Sequence, residues 1–266
     1  MSDQEWRYGD VICLARVAGE AIMVIYHETQ GNTLVATKLD NSPLTRADLA
    51  AHQVIVAGLS RLTPDIPVVS EEGSQVDRSH LADARFWLVD PLDGTKEFLA
   101  RNGEFTVNIA LVEQGRPVFG VVNAPAIGVT YWGGDGLGAW RETARKREPI
   151  RVAEWPVAGE PVRVVASKSH LNGETEAYIA GLGAHELVQA GSSLKFCRIA
   201  EGSADLYPRL APTCEWDTAA AQAVVEAAGG VVMQPDGSSL VYGKPDVLNP
   251  WFIASGVSQL ARRPSH

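Results

Sequence analysis

Asp90 and Asp93 stand three positions apart in the run Leu-Val-Asp-Pro-Leu-Asp-Gly-Thr (88–95), with a proline and a leucine between them. Aspartate and proline both disfavour strand interiors, so this stretch is either an ordinary surface turn or a built site. Proline fixes a bend that lets both carboxylates point the same way, and it frees the Leu92 carbonyl from the sheet ladder. Two carboxylates and one carbonyl make a hard oxygen set, suited to Mg²⁺ rather than zinc. Gly94 and Thr95 would then open a helix or tight turn whose backbone N–H groups face an anion, so metal and phosphate could meet there.

Other acidic residues recur where strands end or helices begin. Glu71-Glu72 follows the apolar run Ile-Pro-Val-Val-Ser (66–70), and taken alone it is a solvated loop pair. Asp217 in Trp-Asp-Thr-Ala-Ala reads as the N-cap of a long alanine-rich helix. Asp48 reads as the acidic member of a capping box opened by Thr45. Each of these has a plain structural explanation, and only their combination points further.

The elements that would position these residues are legible from periodicity. Val11, Ile12, Leu14, Ala15, Ala18, Ile22 and Ile25 recur at spacings of three and four and predict a helix over 9–28. A second helix is expected from Thr45 to Leu62, stopped by Thr63-Pro64. Residues 66–70 and 85–89 read as short buried strands that end at Glu71 and Asp90. Two β-branched runs around Gly115 predict a hairpin, and 129–134 and 137–140 continue it as a meander. After the polar stretch 141–161, strands are expected at 162–167, 185–191, 204–210 and 251–256. Helices are expected between the first two of these strands, over 193–202, and from Trp216 to the closing Gly-Gly at 229–230. The chain thus divides into an N-terminal α+β half, 1–155, carrying most of the acidic positions, and a C-terminal α/β half, 156–266.

With 266 residues, 45% of them hydrophobic and 21% charged, the chain can bury a sizeable core. A net charge of −9 excludes a nucleic-acid backbone as the main partner, and the densest basic cluster, Arg145-Lys146-Arg147, is a loop rather than a binding stripe. Cys13, Cys197 and Cys214 are odd in number, widely spaced and outside any metal-ligand spacing, as expected of reduced thiols. The acidic N-terminus is unlike a signal peptide, and no apolar run reaches the roughly 18 residues of a membrane span. An intracellular soluble protein is expected.

The stretches "KLDNSPLTRAD" (38–48), "VVSEE" (68–72), "WLVDPLDGTKEF" (87–98), "GSSLKFC" (191–197) and "EWDTAAAQAVVEAAGG" (215–230) occur together and in this order. The set resembles the lithium-sensitive, magnesium-dependent phosphatase superfamily of inositol monophosphatases, fructose bisphosphatases and bisphosphate nucleotidases, over nearly the whole chain. Lys96-Glu97-Phe98, "RNGEFTVNIAL" (101–111) and "GSSLKFC" are most similar to its CysQ-type 3'(2'),5'-bisphosphate nucleotidase branch. The fold so implied is a layered α/β/α/β/α sandwich.

The resemblance implies two or three Mg²⁺ ions held by Glu71, Asp90, the Leu92 carbonyl, Asp93 and Asp217. It implies that Thr95, with its hydroxyl held by Asp48, orients the attacking water, and that Glu71 shares this role. Gly94 and Thr95 would cradle the reacting phosphate. His170, Ser192, Lys195 and Arg209 match positions that contact a nucleotide. The implied activity is hydrolysis of the 3'-phosphate of adenosine 3',5'-bisphosphate, with 3'-phosphoadenylyl sulfate as a second substrate, in sulfur metabolism. The implied location is the cytoplasm, at most peripheral to the inner membrane face. Inositol monophosphate is the rival substrate. A non-catalytic metal-binding regulatory protein is the rival of another class, and an intact Asp48–Thr95 pair speaks against it.

Overall fold

A computed structural model describes residues 3–28, 43–73, 78–166 and 172–256. Helix α1 (Asp3–Glu28) and helix α2 (Pro43–Leu62) bury the stripes their spacing foretells: Val11, Ala15, Ala18 and Ile22 from one, Ala47, Ala51, Ile55 and Leu59 from the other. Both lie on one face of a seven-stranded sheet made of β1 (Val68–Ser70), β2 (Arg85–Asp93), β3 (Thr106–Glu113), β4 (Arg116–Ala124), β5 (Val129–Gly134), β6 (Gly138–Thr143) and β7 (Arg147–Ile150). The strands follow in sequence order and are antiparallel except for the first pair, β1 with β2. Gln114 (φ 50°) and Gly115 (φ 73°) form the two-residue turn between β3 and β4, the left-handed pair that a tight hairpin requires.

The second sheet contains β8 (Val162–Ala166), β9 (His185–Gln189), β10 (Leu206–Arg209), β11 (Gly230–Met233) and β12 (Phe252–Gly256), in the order β11-β12-β10-β8-β9. Helix α4 (Gly173–Ala180) covers its outer face through Ile179, which packs with Val162, Val164, Leu206 and Ile253. Between the sheets lie α5 (Leu194–Ala200) and α6 (Glu215–Ala227), and one core joins Leu88 and Val122 of the first sheet, Phe196 and Val224 of the helices, and Phe252 of the second. The layers therefore run α/β/α/β/α, as expected. Gly120 lets α6 lie directly on β4, because a Cβ there would collide with the Ala220 backbone.

Several expectations are corrected. β2 does not stop at Asp90 but continues through Asp-Pro-Leu-Asp. α2 already includes Pro43, so Thr45 stands inside the helix rather than at its N-cap. The polar stretch 141–161 contains the edge strand β7, whose exposed pattern gives no apolar run, and β11 follows α6 with no separate signal.

Candidate active site

The site forms where β2 turns into α3 (Thr95–Leu99). β2 and β3 pair from Arg85↔Glu113 to Asp90↔Asn108, then skip to Asp93↔Thr106. Pro91 has no N–H to continue the ladder, and the Leu92 N–H donates instead to Asp90 Oδ1 at 3.0 Å. The chain then passes through Gly94 at φ 102°, where a Cβ would stand 3.2 Å from Phe105 Cα and 3.3 Å from Ser192 Cβ. The left-handed backbone favours glycine at that point, and the close neighbours leave little room for a side chain. The rings of Tyr26, Phe98 and Phe105 pack with centroids within 5.3 Å of one another and share one apolar cluster with Leu92 of the strand end.

Asp90 is 1% exposed, and burial first, then the charges of Asp93, Glu71, Asp217 and Asp48, hold its carboxyl well above the usual range. Five acidic groups from α2, the end of β1, β2 and α6 thus share one electrostatic field. Asp217 is pushed up to about 7, first by burial and then by Asp93 and Glu71, against the lowering effects of its hydrogen bond with the Cys214 N–H and of Arg209. Asp217 is not the N-cap of α6. Cys214 holds that position, and Asp217, three residues on, accepts the Cys214 N–H at 2.7 Å in a capping box.

Asp93 is gripped from the second half of the chain. Its Oδ2 accepts from Ser192 Oγ at 2.5 Å, the Ser193 N–H at 2.8 Å and Ser193 Oγ at 2.8 Å. Ser192 (φ 50°) turns its hydroxyl inward, 2.6 Å from Thr106 Oγ1. Its side chain therefore supports the Asp93 carboxylate. On α5, one turn further, Lys195 is buried. Burial lowers its pKa, while Asp93, Glu97 and Glu104 oppose that effect and Arg209 adds to it. Arg209, half-buried on β10, donates through Nη2 to the Pro212 carbonyl at 3.1 Å, and its buried Nε has no hydrogen-bond partner among the described residues.

Most of the expected site residues therefore meet at the carboxyl end of β2. Thr95 is exposed at the first position of α3, a helix that α2, carrying half-buried Asp48, touches. Glu71 is exposed just beyond β1, its N–H bonded to the Val89 carbonyl at 3.1 Å. His170 and residues 38–42 of the "KLDNSPLTRAD" stretch lie outside the described residues. Thr106, Asn108 and Ser193 are site residues that sequence reasoning passed over. A polar asparagine inside the apolar run Val-Asn-Ile-Ala-Leu was the available signal for Asn108.

The donor types fit a hard divalent cation: four carboxylates and the Leu92 carbonyl at the ladder break, with no sulfur or imidazole. As the side chains stand, no three acidic, histidine or cysteine groups among the described residues converge on one ion position. Burial and the acidic neighbours nevertheless raise Asp90 and Asp217, a condition that a bound cation would relieve. No helix among the described residues is long and apolar enough to cross a membrane.

A model of the inositol monophosphatase family matches residues 4–261. The chain is 51% identical over 251 residues to 3'(2'),5'-bisphosphate nucleotidase CysQ of Escherichia coli K12, covering 92% of this chain and 98% of that one. The Haemophilus influenzae protein of the same name is 31% identical over 260 residues, covering 92% and 91%. Among solved structures, CysQ from Bacteroides thetaiotaomicron superposes with a TM-score of 0.84 at 45% identity, over 93% of this chain and 96% of that one. Inositol monophosphatase II from Staphylococcus aureus superposes at 0.77 with 21% identity, over 94% and 88%, a likeness of fold. With its layered architecture and acidic strand end, the chain belongs to the inositol monophosphatase family.

Proposed function

We propose that this protein is a Mg²⁺-dependent 3'(2'),5'-bisphosphate nucleotidase that hydrolyses the 3'-phosphate of adenosine 3',5'-bisphosphate to give AMP and phosphate. We further propose 3'-phosphoadenylyl sulfate as a second substrate and sulfur assimilation as the setting. The observation that carries this reading is buried Lys195, within the electrostatic reach of both Asp93 and Arg209. A monophosphate ester needs only the acidic end of the site. A bisphosphate also needs cations for the group that is not cleaved, and a desolvated lysine beside an arginine with an unsatisfied buried donor supplies them. The CysQ names of the relatives point the same way.

In this reading Glu71, Asp90, the Leu92 carbonyl, Asp93 and Asp217 hold two or three Mg²⁺ ions. Mg²⁺ in such a site neutralises phosphoryl charge and acidifies bound water. Asp48 accepts the Thr95 hydroxyl proton, so that Thr95 Oγ1 can in turn accept a proton from the attacking water, and Glu71 shares that task. The Gly94 and Thr95 amides bind phosphate oxygens. Lys195 and Arg209 hold the 5'-phosphate, and His170 and Ser192 contact the nucleotide. We take 1–155 and 156–266 as the two halves between which substrate sits. The location proposed is the cytoplasm, and a net charge of −9 gives no attraction to an anionic leaflet.

The test is phosphate release with Mg²⁺ from adenosine 3',5'-bisphosphate and inositol 1-phosphate in parallel, each with and without lithium. Strong preference for the nucleotide is expected. Preference for the inositol phosphate would overturn the substrate assignment, and release from neither would favour the non-catalytic reading.

A further inference from the structure

Ser193 sits at the junction of three elements. Its Oγ is 2.8 Å from Asp93 Oδ2 on β2 and 2.8 Å from the Asp217 carbonyl on α6, while its own N–H donates to the same Asp93 oxygen. A serine hydroxyl has one proton for these two acceptors, so its orientation depends on what it accepts. Asn108 Nδ2 donates to Ser193 Oγ at 2.9 Å and approaches Asp93 Oδ2 at 3.5 Å. Asn108 is 1% exposed, and its buried Oδ1 has no hydrogen-bond partner among the described residues. A buried amide held in this state on a strand is costly unless the site needs it there. Its position is fixed by register, because Asn108 pairs directly with Asp90.

We infer that Ser193, steadied by Asn108, is a positioning residue that turns Asp93 so that Oδ2 faces α5 and Oδ1 is left for a cation. This rests on the metal-dependent reading above and adds to it a source of precision. A carboxylate with one oxygen held by the Ser192 hydroxyl and the Ser193 N–H, and by the Ser193 hydroxyl when its one proton turns that way, cannot rotate freely or chelate through both oxygens, and a ligand prepared in this way needs little reordering when a cation arrives. Ser193 also lies two residues before Lys195 at the start of α5, so the helix that carries the buried cation is the one that orients the carboxylate.

The experiment is calorimetric titration of Mg²⁺ into the full chain freed of metal by chelation, without substrate, for wild type, Ser193→Ala and Asn108→Ala, with the melting temperature in chelator recorded for each. Ser193→Ala should weaken Mg²⁺ binding about tenfold or more. Asn108→Ala should weaken it by at least about threefold, since it removes one donor of the same network. A lower melting temperature with unchanged Mg²⁺ affinity in both variants would make the contacts purely structural and overturn the inference. If Ser193→Ala does not fold, the Asn108→Ala affinity decides in the same way. A wild-type chain that binds no Mg²⁺ would overturn the metal-dependent reading itself, an outcome distinct from equal binding by wild type and variants.

Discussion

Asp217 accepts the backbone N–H of Cys214 at 2.7 Å, so the carboxylate that closes the start of α6 is also one of the acidic groups around Asp90. The cap holds one oxygen of Asp217 in place, while burial and its neighbours push the carboxyl to about 7 from the ordinary 3.8. Between these values the folded chain keeps a proton that the unfolded chain releases. Its contribution to stability is full below about pH 3.8 and is lost as pH rises through about 7. Asp90, also raised, adds in the same direction. In chelator, the urea midpoint should therefore fall between about pH 5 and about pH 8, and Mg²⁺ should flatten the slope. A midpoint in chelator that rises over this range would contradict the shared field.

Asp93→Asn should lower kcat by at least about 100-fold while leaving the fold intact, because asparagine can still accept from the Ser193 N–H but carries no charge for a cation. Steady-state kinetics with far-UV circular dichroism checks this. A fully active variant would remove Asp93 from the site.

Lys195→Met keeps a buried apolar stem and deletes the ammonium, which stands 5.8 Å from the centroid of the Tyr207 ring. KM for adenosine 3',5'-bisphosphate should rise by about tenfold or more, and KM for a simple phosphomonoester should change far less. Equal effects on both substrates would deny Lys195 the uncleaved phosphate.

Glu215, fully buried in the first turn of α6, accepts from Arg78, from Lys244 Nζ at 2.5 Å, and from the Gly243 and Lys244 backbone at 3.1 and 3.0 Å. Arg78→Met removes one of two cations from a carboxylate that cannot reach water. Unfolding in urea should show a loss of about 2 kcal/mol or more, and a loss near zero would mean that Lys244 alone satisfies Glu215.

The sequence by itself determined what depends on local backbone period. The apolar spacing of 9–28, the Gln114-Gly115 hairpin and the bend at Asp90-Pro91-Leu92-Asp93 were legible because side-chain direction, turn conformation and the missing proline N–H are properties of neighbouring residues. The recurrence of acidic residues at strand ends and helix starts was legible in the same way, and what they do together was implied only by the resemblance. Edge strand β7 was not, since a strand exposed along one side needs no apolar run. Nor was the geometry of the capping box, because the same Trp-Asp pair fits an N-cap or the third helical position until the chain before it is placed. Only the tertiary structure brought Ser193 to Asp93, 100 residues away, and buried Lys195 beside them. That meeting depends on α5 packing between two sheets, and no local pattern encodes which buried surfaces will close on one another.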